Sequence, residues 1–109
     1  MNGRIYLGEL EELVLLIVAL LGEDAYGVSV TEQLKTQANR TITLSATHAV
    51  LHRLEEKGFV KSKMGGASAE RGGRRKRIFR ITAYGRNTLE DLRNTRNSIW
   101  AMMGKPAMS

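Results

Sequence analysis

Residues 71–80 read RGGRRKRIFR, and six of the ten are Arg or Lys. Cations at this density suit a row of phosphates: each neutralised phosphate releases condensed counterions, and each guanidinium offers a planar fork of donors. The two glycines of the run permit a tight turn. The residues that follow, Ile78-Phe79-Arg80-Ile81, read as a strand, so a basic hairpin is expected. Charge runs are usually solvated faces, but here only Glu70 lies nearby to balance the charge. Arg71, Arg74, Arg75, Lys76 and Arg77, with Arg80 beyond them, are therefore candidate phosphate ligands. Such contacts give position and affinity but little sequence selectivity.

A second candidate set precedes the hairpin. Residues 46–57 (ATHAVLHRLEEK) are predicted to form a helix with Ser45 as N-cap and Gly58 as its stop. Thr47, Val50, Leu51 and Leu54 make its buried stripe, leaving Ser45, His48, Ala49, His52, Arg53 and Glu56 on the other face. That outer face is small and polar over its first two turns, as a helix entering a major groove requires. Thr43 and Ser45 stand at the entry, where hydroxyls and free N–H groups favour a phosphate. Ser45, Thr47, His48, His52 and Arg53 are the candidate DNA-facing residues of this helix. Base reading falls to Ser45, His48 and His52 ahead of Arg53, which is also placed to pair with Glu56 or Glu32. Tyr26 is expected to pack against this helix with its hydroxyl towards a phosphate. His48 and His52 have the i, i+4 spacing of a zinc pair, but no third His and no Cys completes a set. No nucleophile–base pair, carboxylate pair or phosphate-cradling glycine loop is present, so neither an enzyme nor a cofactor is expected.

The chain of 109 residues suits one domain. It has no Cys, which excludes disulfides and thiolate metal sites and fits a reducing compartment. Its charge is divided: residues 1–34 hold one basic and six acidic residues, and residues 35–109 hold sixteen basic and five acidic. The basic part calls for a polyanion, either nucleic acid or an anionic membrane surface. The most apolar run, Leu13 to Leu21, is too short to span a bilayer. Glu9, Glu11 and Glu12 stand where an export signal would be positive, so a cytoplasmic, nucleoid-associated protein is expected.

Four helices and a hairpin must hold these residues. Residues 7–21 are apolar on nearly every side. Leu10, Leu13, Val14, Ile17, Leu20 and Leu21 form one stripe, and Leu15, Leu16 and Val18 fill the other side. A helix of that kind must be covered all round, which predicts a partner subunit on the face the domain leaves bare. Gly22 ends it, and Asp24 is the expected cap of a second helix, 25–38, where Gly27 would let another backbone approach. Residues 39–44 (NRTITL) read as a brief extended stretch. Phe59 to Met64 and Arg75 to Thr82 are the expected strands, the latter with Phe79 and Ile81 on one face and Ile78 on the other. Thr82 is the expected cap of a fourth helix, 83–103, ended by Gly104 and Pro106. Leu89, Leu92, Ile99 and Met103 form its seam, with Arg96 at one seam position. The fold class is thus mainly α with a small β-hairpin wing: a winged helix-turn-helix over 1–82 and a dimerisation helix with a short tail over 83–109. Leu13, Leu16, Ile17, Leu20, Leu89, Leu92, Arg96, Ile99, Trp100 and Met103 are the expected dimer interface.

AYGV at 25–28, LSATHAVLHRLEEKGFV at 44–60, ERGGRRKRIFRIT at 70–82 and AYGR at 83–86 together resemble the PadR family of bacterial transcriptional regulators. The resemblance covers roughly residues 6–100. It implies a dimeric winged-helix protein that binds double-stranded DNA, usually as a repressor, and it allows a small aromatic effector with Trp100 as one wall of its pocket. For Trp100 the reading preferred is a seam residue that packs two helices, ahead of an effector wall between subunits. The chain departs from the family pattern at His48, where a Tyr is usual, and at Ser45, where Gly is common. The single fourth helix resembles the compact branch of the family. Two other functions remain open: a non-specific architectural or RNA-binding protein, and a ligand-gated adaptor that acts through dimerisation with another protein and does not touch DNA.

Overall fold

Apolar side chains at helical and strand periods close a single core in the computed structural model, which describes residues 6–65 and 76–106. The elements are α1 (Glu9–Leu21), α2 (Gly27–Ala38), α3 (Leu44–Glu56), β1 (Val60–Met64), β2 (Arg77–Ile81) and α4 (Ala83–Met103), with a 3-10 turn at Gly22–Asp24. The fold is mainly helical with a two-stranded antiparallel hairpin, the expected class. Val14, Leu15, Ile17 and Val18 of α1 meet Val30 and Leu34 of α2 and Val50, Leu51 and Leu54 of α3. Phe59, Val60 and Phe79 close the core from the hairpin side.

Local chemistry corrects several expected boundaries. Asp24 does not cap α2; Tyr26 does, with its N–H donating to Ser29 Oγ at 3.0 Å. The brief extended stretch expected at 39–44 forms no strand and is a connector. Asn39 adopts a left-handed conformation (φ 55°) that turns the chain out of α2, a conformation Asn tolerates better than most residues. Thr43 rather than Ser45 caps α3, its Oγ1 accepting from the Ala46 N–H at 3.1 Å. The α1 stripe is also rearranged. Leu15 and Val18 are buried, Leu20 is exposed and Leu13 is half-buried. Ile17, expected at a subunit interface, lies in the chain's own core.

The hairpin register pairs Val60 with Ile81, Lys61 with Arg80, Ser62 with Phe79, Lys63 with Ile78 and Met64 with Arg77. Phe79 is the inward residue of β2, and Ile78 and Ile81 are half-buried. The Phe79 N–H donates to the Ala25 carbonyl at 2.8 Å, fastening the hairpin to the segment between α1 and α2. Thr82 caps α4 as expected, accepting from the Gly85 N–H at 3.0 Å, and its hydroxyl lies 2.8 Å from the Gly58 carbonyl. Tyr84 stacks on Phe59 with ring centroids 5.0 Å apart. Beyond this first part α4 is held to α1 through Arg96, and every residue from Arg93 to Met103 is exposed.

The acidic first turn of α1 joins the other three helices. Glu9 accepts from Arg40 after α2 at 2.6 Å, and Glu12 accepts from Arg96 of α4 at 2.7 Å. Glu11 is buried and accepts from the Gly8 N–H at 2.8 Å and from Lys57 Nζ at 2.9 Å on each oxygen. Arg53 Nε stands 3.4 Å from the same carboxylate. Burial alone would raise the Glu11 pKa, but the Gly8 N–H, Lys57 and Arg53 outweigh it and hold the carboxyl below its ordinary value.

Candidate nucleic-acid interface

On α3 the residues facing solvent are Leu44, Ser45, His48, Ala49, His52, Arg53 and Glu56, the face expected from the sequence with Leu44 added. Thr47 is not among them. It is 0 % exposed, and its hydroxyl is hydrogen-bonded to that of Thr31 at 2.6 Å, so it pins α3 to α2 and cannot meet a base. Thr43 is exposed, with its hydroxyl engaged in capping. Arg53 pairs with neither Glu56 nor Glu32 but with Glu11. Glu56 instead stands 3.7 Å from His52 Nε2. The distal edge of the His48 ring lies against Gly27, the first residue of α2. What approaches Gly27 is therefore a side chain, not the backbone expected from the sequence.

Tyr26 is half-buried at the start of α2, and Lys76 Nζ stands 4.1 Å from its ring centroid. This cation–π contact joins the base of the hairpin to the start of α2. Arg77 Nη1 donates to Ser62 Oγ at 2.9 Å, and Ser62 donates to Glu55 Oε2 at 2.7 Å, so Arg77 is tethered to α3. Arg71, Arg74 and Arg75 lie outside the described residues. Lys61 and Lys63 were not singled out from the sequence. Alternation in VKSKM puts both on the face that carries Arg80, with Lys61 directly opposite Arg80. Like charges so opposed are unfavourable unless an anion lies between them. Among the described residues none of the three has a carboxylate partner.

The expected interface residues fall into two groups. Leu16 (45 % exposed), Leu20 (66 %), Ile99 (52 %), Trp100 (68 %) and Met103 (62 %) are bare. Leu89 and Leu92 are half-buried, and Arg96 makes an ion pair within its own chain to Glu12. A groove of about 400 Å³ runs between α1 and α4, with Leu16, Ala19, Leu89, Arg93 and Trp100 along it and the Glu12–Arg96 pair at its wall. Among the described residues no group of three or more His, Asp or Glu is placed to hold a metal ion. No helix there is long and apolar enough to cross a membrane.

A helix-turn-helix followed by a two-stranded wing defines a winged-helix protein. Residues 14–91 match the transcriptional regulator PadR-like family, and the chain belongs to that family, one of transcriptional regulators and not of enzymes. No curated protein sequence matches the chain significantly. Among solved structures, a PadR-like transcription factor from Bacteroides fragilis is 17 % identical, with a TM-score of 0.72 over 86 % of this chain and 85 % of that one. A PadR family regulator from Clostridium difficile R20291 is 25 % identical, with a TM-score of 0.66 over 84 % and 93 %. PadR of Bacillus subtilis, in complex with operator DNA, is 19 % identical with a TM-score of 0.63; the match covers 92 % of this chain and 51 % of that one.

Proposed function

We propose that the chain is a homodimeric, sequence-specific DNA-binding regulator that represses by occupying its operator. The observation that carries this reading is the juxtaposition of two surfaces: the small polar face of α3 (Ser45, His48, Ala49, His52) and the exposed cations Lys61, Lys63 and Arg80 on the hairpin joined to it. In this reading α3 enters the major groove and the wing, with Arg71, Arg74, Arg75, Lys76 and Arg77, grips phosphates. A related fold is known on operator DNA in the Bacillus subtilis protein, which supports that docking. The bare apolar residues of α1 and α4 support a two-fold dimer in which residues 83–109, α4 and the tail that follows it, are the dimerisation unit. Two-fold symmetry calls for a pseudo-palindromic operator with half-sites about 34–36 Å apart. A small aromatic effector would have Trp100 as one wall of a pocket between the two subunits.

Selection of duplexes from a randomised pool, followed by footprinting, tests the reading. The expected result is one pseudo-palindromic sequence that survives excess random DNA. His52→Ala should weaken that complex by about 1–3 kcal/mol and change binding to random DNA little. Equal binding to every duplex would replace this reading with the architectural one, and no binding in dilute buffer would sink both.

A further inference from the structure

We infer that Gly27 is a specificity-determining position: by carrying no side chain it lets the His48 imidazole lie against the start of α2, and so fixes the pose in which α3 presents that ring to a base edge. The inference rests on the proposed reading of α3 as the base-reading helix.

The backbone does not ask for glycine at this position. Among the described residues the glycines with positive φ are Gly22, Gly58 and Gly104, and Gly27 is not one of them. It opens α2, and Ala is the better helix former there. The reason lies across the turn. A Cβ built on Gly27 would stand 2.6 Å from both Cε1 and Nε2 of His48, and 3.2 Å from Leu44 Cδ1. No real Cβ tolerates the first of these distances, so some atom must move.

The geometry decides which one. The two helices cannot separate easily here, because the Thr31 and Thr47 hydroxyls are hydrogen-bonded at 2.6 Å and Thr47 is wholly buried. Thr31 lies one turn after Gly27 and Thr47 immediately precedes His48, so the crossing is pinned beside the contact. The imidazole, in contrast, is the end of an exposed side chain with rotatable torsions. Any side chain at position 27 therefore displaces the ring and leaves the helices in place. Gly85 is the opposite case. A Cβ there would meet the main-chain oxygen of Phe59, which cannot swing aside. Gly85 is a packing glycine, whereas Gly27 faces a group that can yield and that lies between Ser45 and His52 on the reading face.

A double-mutant cycle tests the assignment. The probes are a fluorescein-labelled duplex of about 30 base pairs selected from a random pool by the unmodified chain, long enough for two half-sites, and a random-sequence duplex of equal length. Gly27→Ala should keep its melting temperature, lose about ten-fold or more in affinity for the selected duplex, and bind the random duplex as before. His48→Ala should show the same split. The double variant should bind the selected duplex no more weakly than His48→Ala alone, because the ring that Gly27 accommodates is gone. If Gly27→Ala costs its full factor again in the His48→Ala background, binds the selected duplex normally, or fails to fold, the inference is overturned. If the unmodified chain selects no sequence, the reading of α3 falls and takes the inference with it. Sequence selection by the unmodified chain without the cycle's non-additivity sinks the inference alone.

Discussion

Burying a carboxylate costs several kcal/mol unless donors replace its water. Glu11, 6 % exposed, has that replacement in the Gly8 N–H and in Lys57 and Arg53 at the end of α3. Its importance is hard to see in the sequence, where Glu9, Glu11 and Glu12 look alike. Only the packing of α1 turns the middle one inward, on the line that Leu15 and Val18 continue. Its lowered pKa sets the sign of a pH dependence. A carboxyl held below its unfolded value contributes stability that is complete above that value and is lost as pH falls through the folded one. The stabilisation from Glu11 should therefore be full at neutral pH and decline from about pH 4.5 downward. Glu11→Gln should cost about 1–3 kcal/mol at neutral pH, since it leaves Lys57 beside a neutral group. Urea denaturation at several pH values checks this: the gap between the two proteins should close in acid. A gap independent of pH would mean that the carboxylate's charge plays no part.

At the scale of elements, legibility followed the strength of local signals. The fourth helix could be read because Thr82 caps it and Gly104 ends it, and both do so in the structure. The hairpin could be read because β-branched and aromatic residues flank a glycine-rich basic run in the sequence. The stretch 39–44 misled because Thr41, Ile42 and Thr43 favour extended backbone, while the left-handed turn at Asn39 denies them a strand partner. α1 was the least legible, since a helix apolar on almost every side does not announce which side is the core. Ile17 went inward and Leu20 outward, and Arg96, read as a seam residue, holds α4 to α1 through Glu12. Of the side chains expected to meet a partner, Leu16, Leu20, Ile99, Trp100 and Met103 are the apolar ones exposed in the single chain. Each large apolar side chain buried between subunits contributes about 1.5–3 kcal/mol, and two-fold symmetry counts each one twice. Leu20→Asp with Ile99→Asp should thus weaken self-association by roughly two or more orders of magnitude and leave helicity unchanged, because both sites are exposed in the single chain. Sedimentation equilibrium beside circular dichroism reads both effects; an unchanged dimer would move the interface elsewhere.

For the molecule as a whole, the division of charge along the chain is reorganised by folding. The acids of the first α1 turn are engaged by Arg40, Lys57, Arg53 and Arg96, so much of the N-terminal negative charge is met inside the fold. Lys61, Lys63 and Arg80 have no such partner among the described residues, so three cations without a carboxylate stand together on one face of the hairpin. An anion between Lys61 and Arg80 would relieve their repulsion, and a duplex phosphate beside the wing has the charge and hydrogen-bonding capacity to do so. Such contacts depend on salt and ignore sequence, because they neutralise phosphates and touch no base. Lys61→Ala with Arg80→Ala should therefore weaken selected and random duplexes by the same factor. The slope of log affinity against log salt should flatten by about 0.9 for each phosphate left without its cation, up to about 1.8 if each residue holds one. His52→Ala should do the reverse, changing the selected duplex alone and leaving the slope unaltered. Titrations of both variants against both duplexes over a range of salt separate the two roles. If removing the hairpin cations left the slope as it was, the phosphate would have to be held by other groups, and the Lys61–Arg80 pair would be a surface cost with no part in binding.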